Sequence, residues 1–144
     1  MFESGCTAQP LHNDEAESMT DHSITGKTVL IAGGAKNLGG LLARDLAQHG
    51  AKAVGIHYNT GGTKPAADET VAAIKAAGAE AAAFQADLTT AGAVEKLFAD
   101  AIAAFGRPDI AINTVGKVLK KPFVEIGEAE YDEMTGVNSK AAFF

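Results

Sequence analysis

Short apolar runs alternate with longer amphipathic segments along most of the chain. Residues 27–32 form a run rich in β-branched side chains between turn-forming residues, a pattern that predicts a strand buried on both faces. Leucines then recur at helical spacing over residues 38–46, and Gly50 ends the predicted helix. The first unit is therefore predicted to be a strand, a glycine-rich turn and a helix.

The same alternation continues beyond this unit. Residues 53–57, 81–85 and 109–113 predict three further strands, the middle one weak because it is mostly alanine. Between the first two of these, a helix is predicted to begin at Pro65 and to end at Gly78.

The strongest helical pattern follows the third predicted strand. Thr89 or Thr90 is expected to cap this helix, and Gly106 ends it. Its apolar positions are Val94, Leu97, Phe98, Ala101, Ile102 and Phe105. A final helix is predicted from about Glu128. Strands that alternate with helices through short loops indicate an α/β fold, with a doubly wound parallel sheet covered by helices on both faces.

The first 22 residues differ from the rest in being polar and poor in large apolar side chains. We therefore expect a flexible arm over residues 1–22 and a single domain over residues 23–144, with an added strand or a partner-binding arm as the alternative for the first segment. Met19 is a candidate second start of translation. The single cysteine, Cys6, has no metal-ligand spacing around it, and no metal site is predicted.

The charge distribution argues against nucleic acid as the main partner. The net charge is −6, but five acidic residues precede Ser23, so the remaining 122 residues carry 13 acidic and 12 basic residues. A nearly neutral body without a basic stripe does not suit a polyanion. The sequence also lacks an apolar stretch of the roughly 20 residues that span a membrane and the basic-then-apolar order of a secretory signal. We therefore expect a cytoplasmic location without membrane binding.

The glycine-rich segment of residues 31–39 predicts a site for a phosphate group. It lies directly between the first strand and the first helix, where backbone N–H groups and the positive end of the helix dipole point outward together. The alternative is a tight turn without a ligand. A nucleoside-triphosphatase phosphate loop is excluded, because Gly26-Lys27-Thr28 precedes the strand and has Asp21 where that motif requires a glycine.

Several motifs in order along the chain resemble those of the short-chain dehydrogenase/reductase family over residues 26–144. The family turn T-G-x-x-x-G-x-G is matched here by Ala32, Gly33, Asn37 and Gly39, of which the first and third depart from the pattern. Asn enters positive φ more readily than most residues, so the second departure is compatible with the turn. The later matches are Asp87-Leu88, Asn113-Thr-Val-Gly116 for N-N-A-G, Pro122-Phe123, Tyr131-Asp132 and Val137-Asn138.

This resemblance implies a Rossmann-type fold and an NAD(P)-dependent oxidoreductase. The family transfers a hydride between a nicotinamide cofactor and a ketone or secondary alcohol, and it commonly forms homo-oligomers, often tetramers. The implied pyrophosphate and ribose contacts are Gly33, Ala35, Lys36, Asn37, Leu38 and Gly39. The implied contacts of the 2′ position are His57, Tyr58 and Asn59. Those of the adenine are Asp87 and Leu88, and those of the nicotinamide ribose are Asn113, Val115 and Gly116. Asn138 is the implied support of the active site.

Some of these residues have structural alternatives. The alternative for Asp87 is to cap the following turn, a role to which Asp is suited. The alternative for Asn113 is to bridge neighbouring strands, and the alternative for His57 is to be a packed or solvated histidine without a ligand.

The end of the second strand favours NADP(H) over NAD(H). A carboxylate there would hydrogen-bond the ribose 2′-hydroxyl of NAD and repel a 2′-phosphate. No acidic residue occurs between the end of the second strand and Asp68. Lys36 and Lys64 are the candidate positive charges. In the family, a basic residue within the glycine turn accompanies NADP.

The catalytic pair Y-x-x-x-K of the family is absent from these residues. Tyr58 is followed four positions later by Gly62, and Tyr131 by Thr135. We therefore expect the chain to be the N-terminal part of a longer enzyme. The alternatives are a non-catalytic dinucleotide-binding or regulatory protein and a truncated gene product without function. A Ser followed some thirteen residues later by Y-x-x-x-K, beyond residue 144, would identify the enzyme.

The 144 residues on their own are expected to be insoluble or aggregated. Four parallel strands would leave the fourth strand with an unpaired edge and an apolar flank. Light scattering on the purified 144-residue chain checks this expectation. A monodisperse monomer that melts cooperatively would contradict it.

Overall fold

The computed structural model describes residues 23–144. The expectations for the N-terminal arm, Cys6 and Met19 lie outside the described residues. The strands are β1 (Thr28–Ala32), β2 (Ala53–Tyr58), β3 (Glu80–Gln85) and β4 (Ile110–Asn113). The helices are α1 (Asn37–Gln48), α2 (Lys64–Ala76), α3 (Ala91–Phe105), α4 (Glu128–Thr135) and α5 (Ala141–Phe143). Single 3₁₀ turns occupy Gly61–Thr63 and Phe123–Glu125, and a π-helical turn at Gly136–Lys140 joins α4 to α5.

All four strands are parallel and lie in the order β3-β2-β1-β4, which confirms the predicted doubly wound α/β class. The chain moves outward from β1 to β3 on one side and then returns to place β4 on the other side of β1. This reversal opens a crevice beyond the carboxyl ends of β1 and β4, the position at which open α/β sheets bind ligands. The register sets Ala32 of β1 beside Asn113 of β4.

Apolar side chains of β1 pack on both faces of the sheet. Val29 and Ile31 belong to the core cluster that also contains residues of α1, α2 and β2. Leu30, between them, belongs to the second cluster, with Val94 and Leu97 of α3. Alternate residues of a strand face opposite sides, so a continuous apolar run is what a sheet covered on both faces requires.

Helix α1 forms as predicted, but the leucines do not supply most of its buried face. Leu38 and Leu41 are 63% and 66% exposed. The buried positions of α1 are instead Gly39, Gly40, Ala43 and Ala47. Small residues let the helix backbone lie close to the sheet, so the helical spacing of the leucines predicted the element but not the side on which it packs.

Glycines end three helical segments in the left-handed region, as the sequence predicts. Gly50, Gly78 and Gly106 have φ values of 91°, 94° and 82°. The expected side-chain cap of α3 is absent. Thr90 is the N-cap residue but makes no capping hydrogen bond, and the Thr89 hydroxyl donates to Asp87 instead.

Within the described residues, β4 lies at the edge of the sheet beside an apolar hollow of about 230 Å³. Side chains of Leu30, Leu97 and Ile112 line this hollow. The predicted apolar flank of the fourth strand is therefore present. None of the helices in the described part of the chain is long and apolar enough to cross a membrane.

Substituting Thr70 tests how the first two helices are joined to the turn after β1. The Thr70 side chain is fully buried; its Oγ1 donates to the Ala35 carbonyl at 2.9 Å and accepts from Arg44 Nη2 at 3.2 Å. We expect Thr70→Val to lower the free energy of unfolding by about 1 to 2 kcal/mol, because it leaves a buried carbonyl without its donor. Chemical denaturation measures this. Thr135→Val is the exposed control, and equal effects of the two substitutions would contradict the assignment.

Candidate functional site

A cavity of about 440 Å³ lies beyond the carboxyl ends of β1, β2 and β4. It occupies the crevice that the strand order creates. The sequence-predicted residues that line it are Gly33, Ala35, Lys36, Asn37, Leu38, Gly39, His57, Tyr58, Asn59, Val115 and Gly116. The structure therefore brings the predicted pyrophosphate, ribose and 2′-position residues to one cavity.

The turn from β1 to α1 is tight where Gly33 meets Gly39, in the first turn of α1. Gly33 has a φ of 79°, and a Cβ added at Gly39 would lie 2.3 Å from the Gly33 carbonyl oxygen. Asn37 has a φ of 52° and is the non-glycine residue with positive φ among those described. The expectation that asparagine tolerates this position of the turn is thereby confirmed.

The first turn of α1 has no side-chain cap. Its N-cap residue is Lys36, whose backbone is extended and whose side chain makes no capping hydrogen bond. The amide groups that follow belong to Asn37, Leu38 and Gly39, all of which line the cavity. Helix N-termini carry unpaired N–H groups and partial positive charge, so this end of α1 suits an anion.

Thr114 supports the turn from the side of β4. Its Oγ1 donates to the Ala32 carbonyl at 2.8 Å. A Cβ added at Gly33 or at Gly39 would lie 2.7 Å or 2.6 Å from this same Oγ1. Thr114 thus sets how closely the glycine turn and the loop after β4 approach each other, and only residues without a Cβ fit against it.

His57 supports the turn from the side of β2. Its side chain is buried at 2% exposure, Nδ1 accepts a hydrogen bond from the Gly33 amide at 3.2 Å, and Nε2 lies 2.9 Å from the Ala86 carbonyl oxygen. Burial lowers the pKa of His57, against the raising effects of the Ala86 carbonyl and the Asp87 carboxylate. His57 is therefore the packed histidine of the structural alternative, with both ring nitrogens engaged, although it borders the cavity.

Asp87 and Leu88 line a smaller hollow next to the cavity, together with His57, Asn59 and Val115. Asp87 Oδ1 accepts hydrogen bonds from the Thr89 amide at 3.1 Å and the Thr89 hydroxyl at 2.8 Å. These bonds lower the pKa of Asp87. Asp87 therefore closes the following turn, as its structural alternative states, while its Oδ2 has no hydrogen-bond partner among the described residues.

Asn113 and Asn138, two of the predicted site residues, hold the loop after β4. Asn113 Oδ1 accepts from the Val115 amide at 2.8 Å, so this side chain closes a turn within its own loop. Asn138 lies in the π-helical turn after α4 and bonds both backbone groups of Lys117, accepting from its amide at 2.8 Å and donating to its carbonyl at 2.9 Å. Asn138 therefore links the loop after β4 to the π-helical turn after α4.

Ion pairs decide which lysines remain available at the cavity. Lys117 lines the cavity and pairs with Glu133. Lys64, which follows the lining residue Thr63 in the sequence, pairs with Asp68 at 2.7 Å, and this pairing raises the pKa of Lys64. Lys36 lines the cavity and has no carboxylate partner among the described residues. Of the two candidate cations for a 2′-phosphate, Lys36 is the one without a carboxylate partner in residues 23–144.

Sequence reasoning missed part of the cavity wall. The residues it missed are Thr63, Lys117 and Glu133, whereas Thr114 and Val137 stood inside the matched motifs Asn113-Thr-Val-Gly116 and Val137-Asn138. Thr114 was identifiable, because it occupies the second position of the N-N-A-G match. Glu133 lies on α4, and nothing in its local pattern distinguishes it from other helix positions.

Comparisons with known proteins agree on one family. A family model described as short chain dehydrogenase matches residues 27–144. The hydroxynaphthalene reductase-like protein Arp2 of Metarhizium robertsii is 38% identical over 125 residues, which make up 87% of this chain and 46% of that protein. The chain spans about half the length of the curated relatives it matches.

The chain is also similar to solved structures of other proteins. A protein from Burkholderia cenocepacia, described as a dehydrogenase with bound NADP, has 74% sequence identity and a TM-score of 0.83, with 85% of this chain and 46% of that one covered. A blue fluorescent protein from a metagenomic library, in complex with NADPH, has 29% identity and a TM-score of 0.78, with 84% and 49% covered.

A methyl group at Gly39 tests the tightness of the turn. We expect Gly39→Ala to lower the free energy of unfolding by about 1 to 3 kcal/mol, because the new Cβ would overlap the Gly33 carbonyl and the Thr114 hydroxyl. Gly92→Ala, in the first turn of α3 where the added Cβ meets nothing within 4 Å, is the control and should stabilise by about 0.5 kcal/mol. Denaturant titration of both proteins gives the comparison. If Gly39→Ala left the free energy of unfolding unchanged, the turn would not be close-packed.

Proposed function

This chain belongs to the short chain dehydrogenase family, and from that premise we propose that it binds NADP(H) as the cofactor-holding part of an oxidoreductase. The substrate class we propose is a small ketone or the corresponding secondary alcohol. The observation that carries the proposal is the uncapped start of α1 at the end of a glycine turn, with an unpaired Lys36 beside it.

The turn fits a pyrophosphate on physical grounds. Gly33 and Gly39 present backbone where a side chain would stand, and the first amides of α1 supply donors and positive potential. Asn37 reaches the required positive φ without a glycine. The residues present are therefore compatible with the cofactor.

The 2′ position of the adenosine ribose supports NADP(H) over NAD(H). The residues that end β2 and follow it, Tyr58, Asn59 and Thr60, bring no carboxylate to the cavity that would repel a phosphate. The acidic residue next along the chain, Asp68, is paired with Lys64. Lys36 supplies a cation at the cavity wall, and the bound NADP and NADPH of two structural neighbours agree with this choice.

The adenine contact proposed for Asp87 is compatible with its role in the turn. One carboxylate oxygen, Oδ1, receives both bonds from Thr89, and Oδ2 is left to accept the amino group of a purine. Leu88 is 6% exposed, so its side chain serves mainly the core beneath α3.

When bound, the cofactor supplies or accepts the hydride. The residues of this chain hold the nucleotide and shape the wall where the substrate would meet it. Asn138 keeps Lys117 at that wall through its hydrogen bonds with the Lys117 amide and carbonyl. We propose that proton transfer to the substrate is performed by residues of the intact protein outside this segment.

Replacing Lys36 tests the assignment of the 2′-phosphate. We expect Lys36→Ala to weaken NADPH binding to the intact protein by about tenfold and NADH binding by about twofold or less, because only NADPH carries the anion that the ammonium group would contact. Fluorescence titration with both nucleotides measures this.

Two further lysines serve as controls for that experiment. Lys96→Ala removes an exposed lysine of α3 that pairs with Asp100, and Lys64→Ala removes the other candidate cation. Both should leave the NADPH affinity nearly unchanged. Equal losses for NADPH and NADH in Lys36→Ala would refute the phosphate contact, and no binding of either nucleotide to the unsubstituted protein would refute the function itself.

A further inference from the structure

His57 is a buried titratable side chain for which the proposed function has no use. It lies in β2 and contacts two segments that come from elsewhere in the sequence: the turn after β1, through Gly33, and the residue that follows β3, Ala86. The first of these is the predicted pyrophosphate end of the site, and the second leads directly into Asp87, at the predicted adenine end. One imidazole ring therefore joins both ends.

The two hydrogen bonds require one tautomer. The Gly33 amide can only donate, so Nδ1 must accept and carry no proton. The Ala86 carbonyl can only accept, so Nε2 must carry the proton. A ring protonated at both nitrogens would direct an N–H at the N–H of Gly33, and the turn could not keep its shape.

We propose that His57 is a positioning residue that holds the glycine turn in its cofactor-binding shape, and that it does so only as the neutral imidazole. This inference rests on the proposed function. It makes nucleotide affinity depend on the hydrogen bond that His57 accepts from the Gly33 amide. Gly33 belongs to the tight contact with Gly39 and Thr114, so a displaced Gly33 amide would disturb the whole turn.

The charged groups around His57 are few. Asp87 is the acid that acts on it, and the Asp87 carboxylate is itself bonded to Thr89. In the cavity wall, Lys117 and Glu133 form an ion pair, and Lys36 is the remaining charge. From β1, β4 and the segment that contains Val137 and Ala141, no titratable side chain lines the hollow beside His57.

The pH dependence follows from the burial of the ring. Its pKa is lowered from the ordinary value of about 6.5. The unfolded or opened chain then binds a proton more readily than the closed turn, so the closed turn is most stable above about pH 6.5 and loses stability as the pH falls below it. Nucleotide affinity should fall over the same range.

The decisive comparison uses NADH, because the 2′-phosphate of NADPH also titrates near pH 6. Between about pH 7.5 and about pH 5, we expect the affinity of the intact protein for NADH to fall by about threefold or more. His57→Asn can still present an oxygen to the Gly33 amide but cannot titrate. Its NADH affinity should stay close to that of the unsubstituted protein at about pH 7.5 and should vary less than about twofold with pH.

Two further variants separate the acceptor from the rest of the ring. His57→Leu offers no acceptor to the Gly33 amide and should weaken the binding of both NADH and NADPH by about tenfold at about pH 7.5. His49→Asn replaces an exposed histidine near the end of α1 and should change neither affinity nor its pH dependence. Equal pH profiles of NADH affinity in the unsubstituted protein and His57→Asn would overturn the proposal. It would also be overturned if His57→Leu bound the nucleotides as tightly as the unsubstituted protein.

Nitrogen NMR of the unsubstituted protein tests the same claim without any substitution. At about pH 7.5 the proton of His57 should be on Nε2, with Nδ1 unprotonated. A proton on Nδ1 would overturn the proposal even if every variant failed to fold. Binding of nucleotides with the other tautomer would refute the role of His57 alone, whereas no nucleotide binding at all would refute the proposed function.

Discussion

The contact between the glycine turn and its two flanking strands governs the rest of the site. Thr114, which follows β4, lies close to Gly33 and Gly39, and His57 of β2 accepts a hydrogen bond from the Gly33 amide. These contacts place the start of α1 over the crevice where the strand order reverses. Because a Cβ at either glycine would meet atoms closer than 3 Å, the geometry leaves little freedom for alternative turns.

Charge at the site is limited by pairing. Lys64 and Lys117 are each held by a carboxylate, and Asp87 is turned toward Thr89. The cavity is therefore left with the partial charge of a helix N-terminus and a single unpaired cation within the described residues, Lys36. This distribution of charge is what the proposed NADP(H) would require, because that cofactor carries a diphosphate and a separate 2′-phosphate.

Much of the fold could be predicted because its signals are local. The apolar run before the glycine turn, the helix that Pro65 opens and the glycines that end helices each act through nearby residues. The unpredicted features depend on partners distant in sequence. These include the small-residue face of α1, the support from Thr114, and the engagement of both nitrogens of His57. In the last case, the predicted residue borders the cavity, and both of its ring nitrogens are engaged by backbone groups.

A crystal structure of the intact protein grown with NADPH tests the central claim most directly. The account predicts that the diphosphate lies against the amides of the first turn of α1, between Gly33 and Gly39, with the 2′-phosphate beside Lys36. A nucleotide bound at another place, or a diphosphate remote from this turn, would contradict it.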